Sequence, residues 1–373
     1  MRLVHLSDTH LGHQQFTRTV PKGEPDAGLN QREKDHYVAF EQIIDHCIET
    51  RPDLVVHSGD LFDGVRPSNR ALAVALGGFV RLSQAGIPTV VIAGNHEHPK
   101  MLETGSPMRL FEHLEHIHPV FKGRRESIQV GDWTVHAVPQ CPSSDALREA
   151  VMSIEATGQD ILVLHGGVLG LDAFHHAEFN ELTIDPAWFT GANAERFGYV
   201  ALGHYHGTTE IAPHAWYAGA PDRVSIREAG EEKGFLEVRL GDTADVRFVP
   251  LPVRPYADLP RIDATGMEAG AIVDAAVRAV EGVPAGAVAR LRIDHVAPDL
   301  RGGLDLGAVR QAASHLLDLD LRTAFEDDVH RSDTGMRLGG LADEFDAFVA
   351  GYPMEGIDRQ ELTERARDLL AGA

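Results

Sequence analysis

Five short polar motifs, each standing directly behind an apolar strand pattern, constrain this chain most. They are Asp8-Thr9-His10, Gly59-Asp60-Leu61-Phe62-Asp63, Gly94-Asn95-His96-Glu97, Leu164-His165-Gly166-Gly167 and Gly203-His204-Tyr205-His206. The runs ahead of the first three are Leu3-Val4-His5-Leu6, Asp53-Leu54-Val55-Val56 and Thr89-Val90-Val91-Ile92-Ala93. Helical patterns occupy about 34–50, 69–85 and 107–116. Strands that run the same way end at one sheet edge, where sites form. Beyond residue 120 the pattern is strand-rich, at 127–130, 133–138, 161–164, 199–202, 216–218, 234–240 and 246–251, with one helix near 145–157. Alternating units followed by strand-rich ones predict two packed sheets with helices outside.

The side chains gathered by the motifs are too many oxygen and nitrogen donors for one ordinary ion. They suit two divalent ions sharing a carboxylate, roughly 3.5–4 Å apart. Asp8, His10 and His206 are expected on one ion, and Asn95, His165 and His204 on the other. Asp60, an acid with two oxygens, is expected to bridge them. His96 neighbours a ligand without being one, which leaves it free as a general acid. The mixed donor set fits manganese, iron or zinc better than a soft metal. Of the other histidines, His36 and His46 read as helix-surface residues. His113, His116 and His118 are explained by helix spacing and a surface position. His57 reads either as an outer support of the site or as a plain strand residue, and His13, His175 and His176 as loop residues near its edge.

Composition sets the outer bounds. A chain of 373 residues, 43% hydrophobic and 24% charged, has enough apolar sequence for two to three domains. Two cysteines, Cys47 and Cys141, cannot make a disulfide framework, so a reducing, cytoplasmic setting is expected. No apolar run is long enough for a membrane span, and the N-terminus carries no signal-peptide pattern. A formal charge of −22 argues against a general nucleic-acid coat protein. It is not a detachable acidic tail. Residues 256–373 hold 22 acids against 12 arginines, and the rest of the excess lies in the first 255. The Pro250–Pro255 segment marks a boundary. Residues 256–328 then read as a small α/β module, and 329–373 as a linker with two helical patterns near 341–350 and 358–371.

The motifs resemble the calcineurin-like metallophosphoesterase superfamily and, more narrowly, its SbcD-type DNA-repair nucleases. The narrower resemblance rests on Asp8–Gly12, on Arg32-Glu33-Lys34-Asp35 with Ala39-Phe40-Glu41, and on Gly59–Asp63 with Arg66-Pro67-Ser68. Gly219-Ala220-Pro221 followed by Glu231-Glu232-Lys233-Gly234-Phe235 extends it. It covers about residues 1–250 by motif, and the remainder by architecture only. Two features depart from the family: Gly207-Thr208-Thr209 follows the last motif where proline is frequent, and Glu97 stands where aspartate is frequent. Neither removes a ligand.

The resemblance implies a four-layer αββα phosphoesterase domain over 1–255, a small α/β capping, DNA-binding domain over 256–328, and C-terminal helices over 329–373. It implies two manganese ions, a homodimer through the helical segments 69–85 and 107–116, and docking of the tail on an SbcC-type ATPase. The tail stripes Leu341, Phe345, Phe348, Val349 and Leu362, Ala366, Leu369, Leu370 fit such docking. The chain carries no Gly-x-x-x-x-Gly-Lys-Ser/Thr loop of its own. The activity implied is hydrolysis of DNA at double-strand ends and hairpins, as 3′–5′ exonuclease and endonuclease, in double-strand break repair. Two other readings remain open at this point: a phosphodiesterase or phosphatase acting on nucleotides or other phosphoesters, and a non-catalytic DNA-end-binding scaffold.

Overall fold

The computed structural model describes residues 1–98, 105–171 and 181–325. The chain divides into two units. The first comprises Met1–Asp258 with Val283–Arg290 and Ala313–Leu319; the second begins at Leu259 and takes the intervening segments.

The first unit opens with β1 (Arg2–Leu6), α1 (Gln31–Thr50), β2 (Leu54–His57), α2 (Asn69–Gln84), β3 (Thr89–Ile92) and β4 (Ile117–Val120). It continues with β5 (Glu126–Val130), β6 (Trp133–Ala137), α3 (Ser144–Met152), β7 (Asp160–His165), β8 (Gly167–Val168) and β9 (Thr183–Ile184). Then come β10 (Tyr199–Gly203), β11 (Thr209–Ala212), β12 (Ala215–Tyr217), β13 (Gly234–Leu240) and β14 (Ala244–Pro250). Among the described residues twelve of these strands form two six-stranded sheets, of order β14-β13-β1-β2-β3-β4 and β11-β12-β10-β7-β6-β5, and β8 and β9 pair separately. Both six-stranded sheets are mixed. β1 to β4 run parallel while β13 is antiparallel to β1. β6, β7, β10 and β12 run parallel while β5 and β11 are antiparallel edges.

Side-chain alternation explains the packing. Successive strand residues point to opposite faces. Leu54, Val56, Val90 and Ile92 enter one cluster with Ile161, Val163, Tyr199 and Ala201 of the other sheet. Val4, Val55 and Val91 face the opposite way, against Phe40, Ile43, Ile44 and Phe79 of α1 and α2. Leu162, Leu164, Val200 and Leu202 pack with Leu147 and Val151 of α3. Strands buried on both faces read as unbroken apolar runs, which is why they stand out in the sequence.

The 107–116 segment departs from the sequence expectation. Only a short 3-10 turn, Pro107–Phe111, forms there, begun by the Ser106 side chain. The segment then turns at His116, whose φ is +65°, and feeds β4. Helix spacing therefore does not relate His113, His116 and His118, the last of which lies on β4.

In the second unit, α4 (Ala269–Glu281) buries Ile272, Ala276 and Val280. A strand at Ile262–Asp263 pairs in parallel with Ile293–Asp294, and a second helix, Leu306–Ala312, buries Val309. The tail patterns at 341–350 and 358–371, and His175 and His176, lie outside the described residues.

Candidate metal centre

The structure brings all eight singled-out residues to one place, at or just beyond the C-terminal ends of β1, β2, β3, β7 and β10. Asp8, His10, Asp60 and His165 are at most 1% exposed. Three overlapping groups hold their ligand atoms within 4.8 Å of one another: Asp8, His10 and His206; His10, Asp60 and His96; Asp60, His165 and His204. Asp60 and His10 each belong to two of them.

On one side, His10 Nε2 and His206 Nε2 face each other at 3.2 Å. On the other, Asn95 Oδ1 lies 2.9 Å from His165 Nε2 and 3.2 Å from His204 Nδ1. Asp60 Oδ2 lies 3.2 Å from His165 Nε2. Neighbouring donors on one ion, each about 2.0–2.2 Å from it, stand roughly 3 Å apart. The donor set therefore fits divalent cations, with Asp60 placed to serve both groups.

The backbone that aims these groups is strained. Asp8, His10, Asp60 and His204 all have left-handed φ, of 51°, 43°, 54° and 101°. Such non-glycine positions cost about 1–3 kcal/mol each and cluster at functional sites. Compensating hydrogen bonds hold them. Ser7 Oγ donates to Asp8 Oδ2, and the His204 N–H donates to Asp8 at 3.1 Å. The His96 N–H donates to Asp60 Oδ1 at 3.0 Å.

A further ring of residues orients the donors. His165 Nδ1 lies 2.9 Å from the Ser58 carbonyl. His204 Nε2 meets Glu181 at 3.1 Å and His206 Nδ1 meets Glu228 at 3.2 Å. Asp63 Oδ1 lies 3.3 Å from His10 Nδ1 and 3.1 Å from His13 Nδ1, so His13 does sit at the site's edge. His57 is an outer support. Its Nδ1 accepts from the Gly59 N–H, so its Nε2–H donates to Thr9 Oγ1 at 3.0 Å. His36 is not a surface residue. It is 1% exposed and its Nδ1–H donates to the Thr9 carbonyl at 3.1 Å, because α1 covers the first motif. Glu97 is wholly buried and accepts from Phe62 and Gly94 N–H at 2.8 and 2.9 Å, tying the second motif to the third.

Charge follows this geometry. Burial alone would raise the Asp60 carboxyl, but the His165 charge outweighs it and holds it well below the usual range. His165 is raised to about 9 because Asp60 overcomes the effect of burial. Burial, then the Asp60 charge, pushes Glu97 up to about 8. Such opposed shifts, concentrated in one cleft, mark functional sites. The sequence offered no signal for Glu181 or Glu228 as partners of the motifs, and although Lys233 stands in the Glu231–Phe235 segment that carries the resemblance, only tertiary folding brings it to His206.

His96 groups with His10 and Asp60 but has a main-chain partner of its own. Its Nδ1–H donates to the Asp63 carbonyl at 3.0 Å, and its Nε2 lies 3.9 Å from Asp60 Oδ2. That leaves Nε2 on the side of the site.

A fold of two mixed sheets with His, Asp and Asn donors at the strand ends defines a metallophosphoesterase. The calcineurin-like phosphoesterase family matches residues 1–225, and the chain belongs to that family. Among its distant relatives are proteins named DNA double-strand break repair protein Mre11. That of Sulfurisphaera tokodaii is 32% identical over 208 residues, 55% of this chain and 49% of the relative. That of Saccharolobus solfataricus is 32% identical over 243 residues, 62% and 58%. That of Sulfolobus acidocaldarius is 32% identical over 266 residues, 68% and 64%. The matched stretches thus span about half to two thirds of these relatives.

Proposed function

We propose that this chain is a manganese-dependent DNA nuclease subunit of the SbcD type, hydrolysing phosphodiester bonds at two metal ions. The observation that carries the reading is the convergence of seven donors, with Asp60 reaching both groups. Asp8, His10 and His206 would hold one ion, Asn95, His165 and His204 the other, and Asp60 both. Bound there, two divalent ions supply a water of near-neutral pKa and offset charge on the phosphoryl oxygens. His96 protonates the leaving 3′ oxygen. Its Nδ1–H is committed to the Asp63 carbonyl, so the proton to be given resides on Nε2.

The names of these relatives support DNA breaks as the substrate context, with 3′–5′ exonuclease and endonuclease activity as the family resemblance implies. The two sheets with helices on their outer faces support the four-layer αββα arrangement over 1–255. Residues 256–328 are proposed as the capping module and 329–373 as the segment that docks on an SbcC-type ATPase in the cytoplasm. Leu76 on α2 and Leu110 in the following turn are exposed apolar residues, as a homodimer contact through these segments requires. No described helix is long and apolar enough to cross a membrane.

The test is incubation of the full chain with manganese and end-labelled duplex DNA, beside a chelator control and a small phosphodiester. Metal-dependent release of nucleotides is expected. Cleavage of the small ester alone would point to another phosphoesterase, and DNA binding without any cleavage to a scaffold.

A further inference from the structure

Outside the motifs, one buried ion pair reaches a proposed ligand from behind. Glu228 and Lys233 are 7% and 2% exposed. Charged side chains are almost never so buried unless paired, and these two pair with each other: Lys233 Nζ lies 2.6 Å from Glu228 Oε2. Each also acts on His206. Glu228 Oε1 lies 3.2 Å from the His206 Nδ1, and Lys233 Nζ donates to the His206 carbonyl at 3.0 Å. Ring and main chain of one residue are thus gripped by two halves of one ion pair. The grip is itself anchored. Glu228 accepts from the Ser225 N–H at 3.0 Å, and Lys233 has a second partner in Glu231 at 2.8 Å.

We propose that Glu228, braced by Lys233, is the positioning residue that fixes His206 for metal binding. An imidazole that donates Nδ1–H to a carboxylate presents an unprotonated Nε2, and Nε2 is the atom that faces His10. A carboxylate behind a ligating histidine fixes its tautomer and ring orientation and raises its basicity. The effect is local. His204 has its own partner in Glu181, and His165 is held by the Ser58 carbonyl. Loss of Glu228 therefore weakens one ion and spares the other. This inference rests on the two-ion reading above.

The test is a manganese titration of the chelator-stripped full chain, with free ion read from its electron paramagnetic resonance signal. The wild type is expected to bind two ions per chain. In Glu228→Gln, one ion is retained at wild-type affinity and the other is weakened about 10–100-fold, while the metal-free protein keeps its circular dichroism spectrum. Glu237→Gln, which removes the distant carboxylate beside His46, is expected to leave both affinities unchanged. Two ions held at full affinity by Glu228→Gln would overturn the proposal and leave the two-ion reading standing. A wild type that binds fewer than two would overturn both. Should Glu228→Gln fail to fold, the wild type decides. Histidine 15N NMR, with His206 assigned by substitution and the pH raised until the ring is neutral, must then show the Nδ1–H tautomer in the metal-free protein, and a neutral ring carrying Nε2–H would overturn the proposal.

Discussion

His10 Nε2 and His206 Nε2 confront each other across 3.2 Å, although 196 residues separate them in the chain. Two lone pairs at that distance repel, so the arrangement is stable when a cation, or at least a proton, stands between them. A divalent cation bound by both rings would meet both nitrogens at once. His10→Ala is expected to reduce bound manganese from two ions to one and to slow DNA cleavage by about a thousandfold or more, equivalent to about 4 kcal/mol of barrier. Metal analysis and a cleavage assay on the same preparation check both parts.

His96→Ala should separate binding from catalysis. The two-ion stoichiometry is expected to survive, while DNA cleavage falls by roughly 10²–10⁴-fold, the usual share of a general acid. A p-nitrophenyl phosphodiester, whose leaving group departs without a proton, should lose far less. Equal losses on both substrates would remove His96 from that role.

Gly94 gives a steric prediction. A Cβ there would overlap Asp60 Oδ1 and approach the Asp60 main-chain nitrogen to 2.7 Å. Gly94→Ala must displace the shared carboxylate. It is expected to cost roughly 1–3 kcal/mol of stability, as overpacking usually does, and to weaken both ions. Thermal melts with and without manganese measure the two effects separately.

Away from the site, Asp35 predicts an acid-side dependence of stability. It pairs with Arg32 at 2.6 Å and with Arg254 at 2.6 Å. Burial alone would raise its carboxyl, but these guanidinium partners hold it below its ordinary value of 3.8. A depressed folded-state value means stability that is fully present above the unfolded value and lost as pH falls through the folded one. Asp35→Asn should therefore destabilise the protein at neutral pH, by roughly 3 kcal/mol because it breaks a largely buried pair. The difference from wild type should shrink below about pH 4. Denaturant unfolding at pH 7 and pH 3 gives the comparison.

The strands and the donors were legible in the sequence for one shared reason. β1, β2, β3, β7 and β10 are buried on both faces, so they read as apolar runs, and each donor stands at the end of one of them or in the first few residues behind it. What was not legible depends on distance in the chain. Glu228 reaches His206 from a turn 22 residues away, and Glu181 reaches His204 across 23. No local pattern marks either. His36 misled because periodicity finds apolar faces, whereas α1 turns a partly polar face inward, with Arg32, Glu33 and His36 buried over the first motif and the loops beside it. The 107–116 segment reads as helical by its apolar spacing, but Ser106 and Pro107 start a turn that His116 ends within a few residues.

The acidity of the chain also looks different beside the site. Asp63, Glu181 and Glu228 join Asp8 and Asp60 there, and two divalent ions would add +4 where a phosphate must sit. DNA affinity of the chain alone is therefore expected to depend on metal and to fall with salt. Tight binding in chelator at high salt would contradict this.

The most direct test of the central claim is an anomalous difference map, collected at the manganese edge from crystals of the manganese-loaded full chain. The expected result is two peaks roughly 3.5–4 Å apart, one among Asp8, His10 and His206, the other among Asn95, His165 and His204, with Asp60 touching both. A single peak, or a pair that leaves Asp60 unliganded, would contradict it.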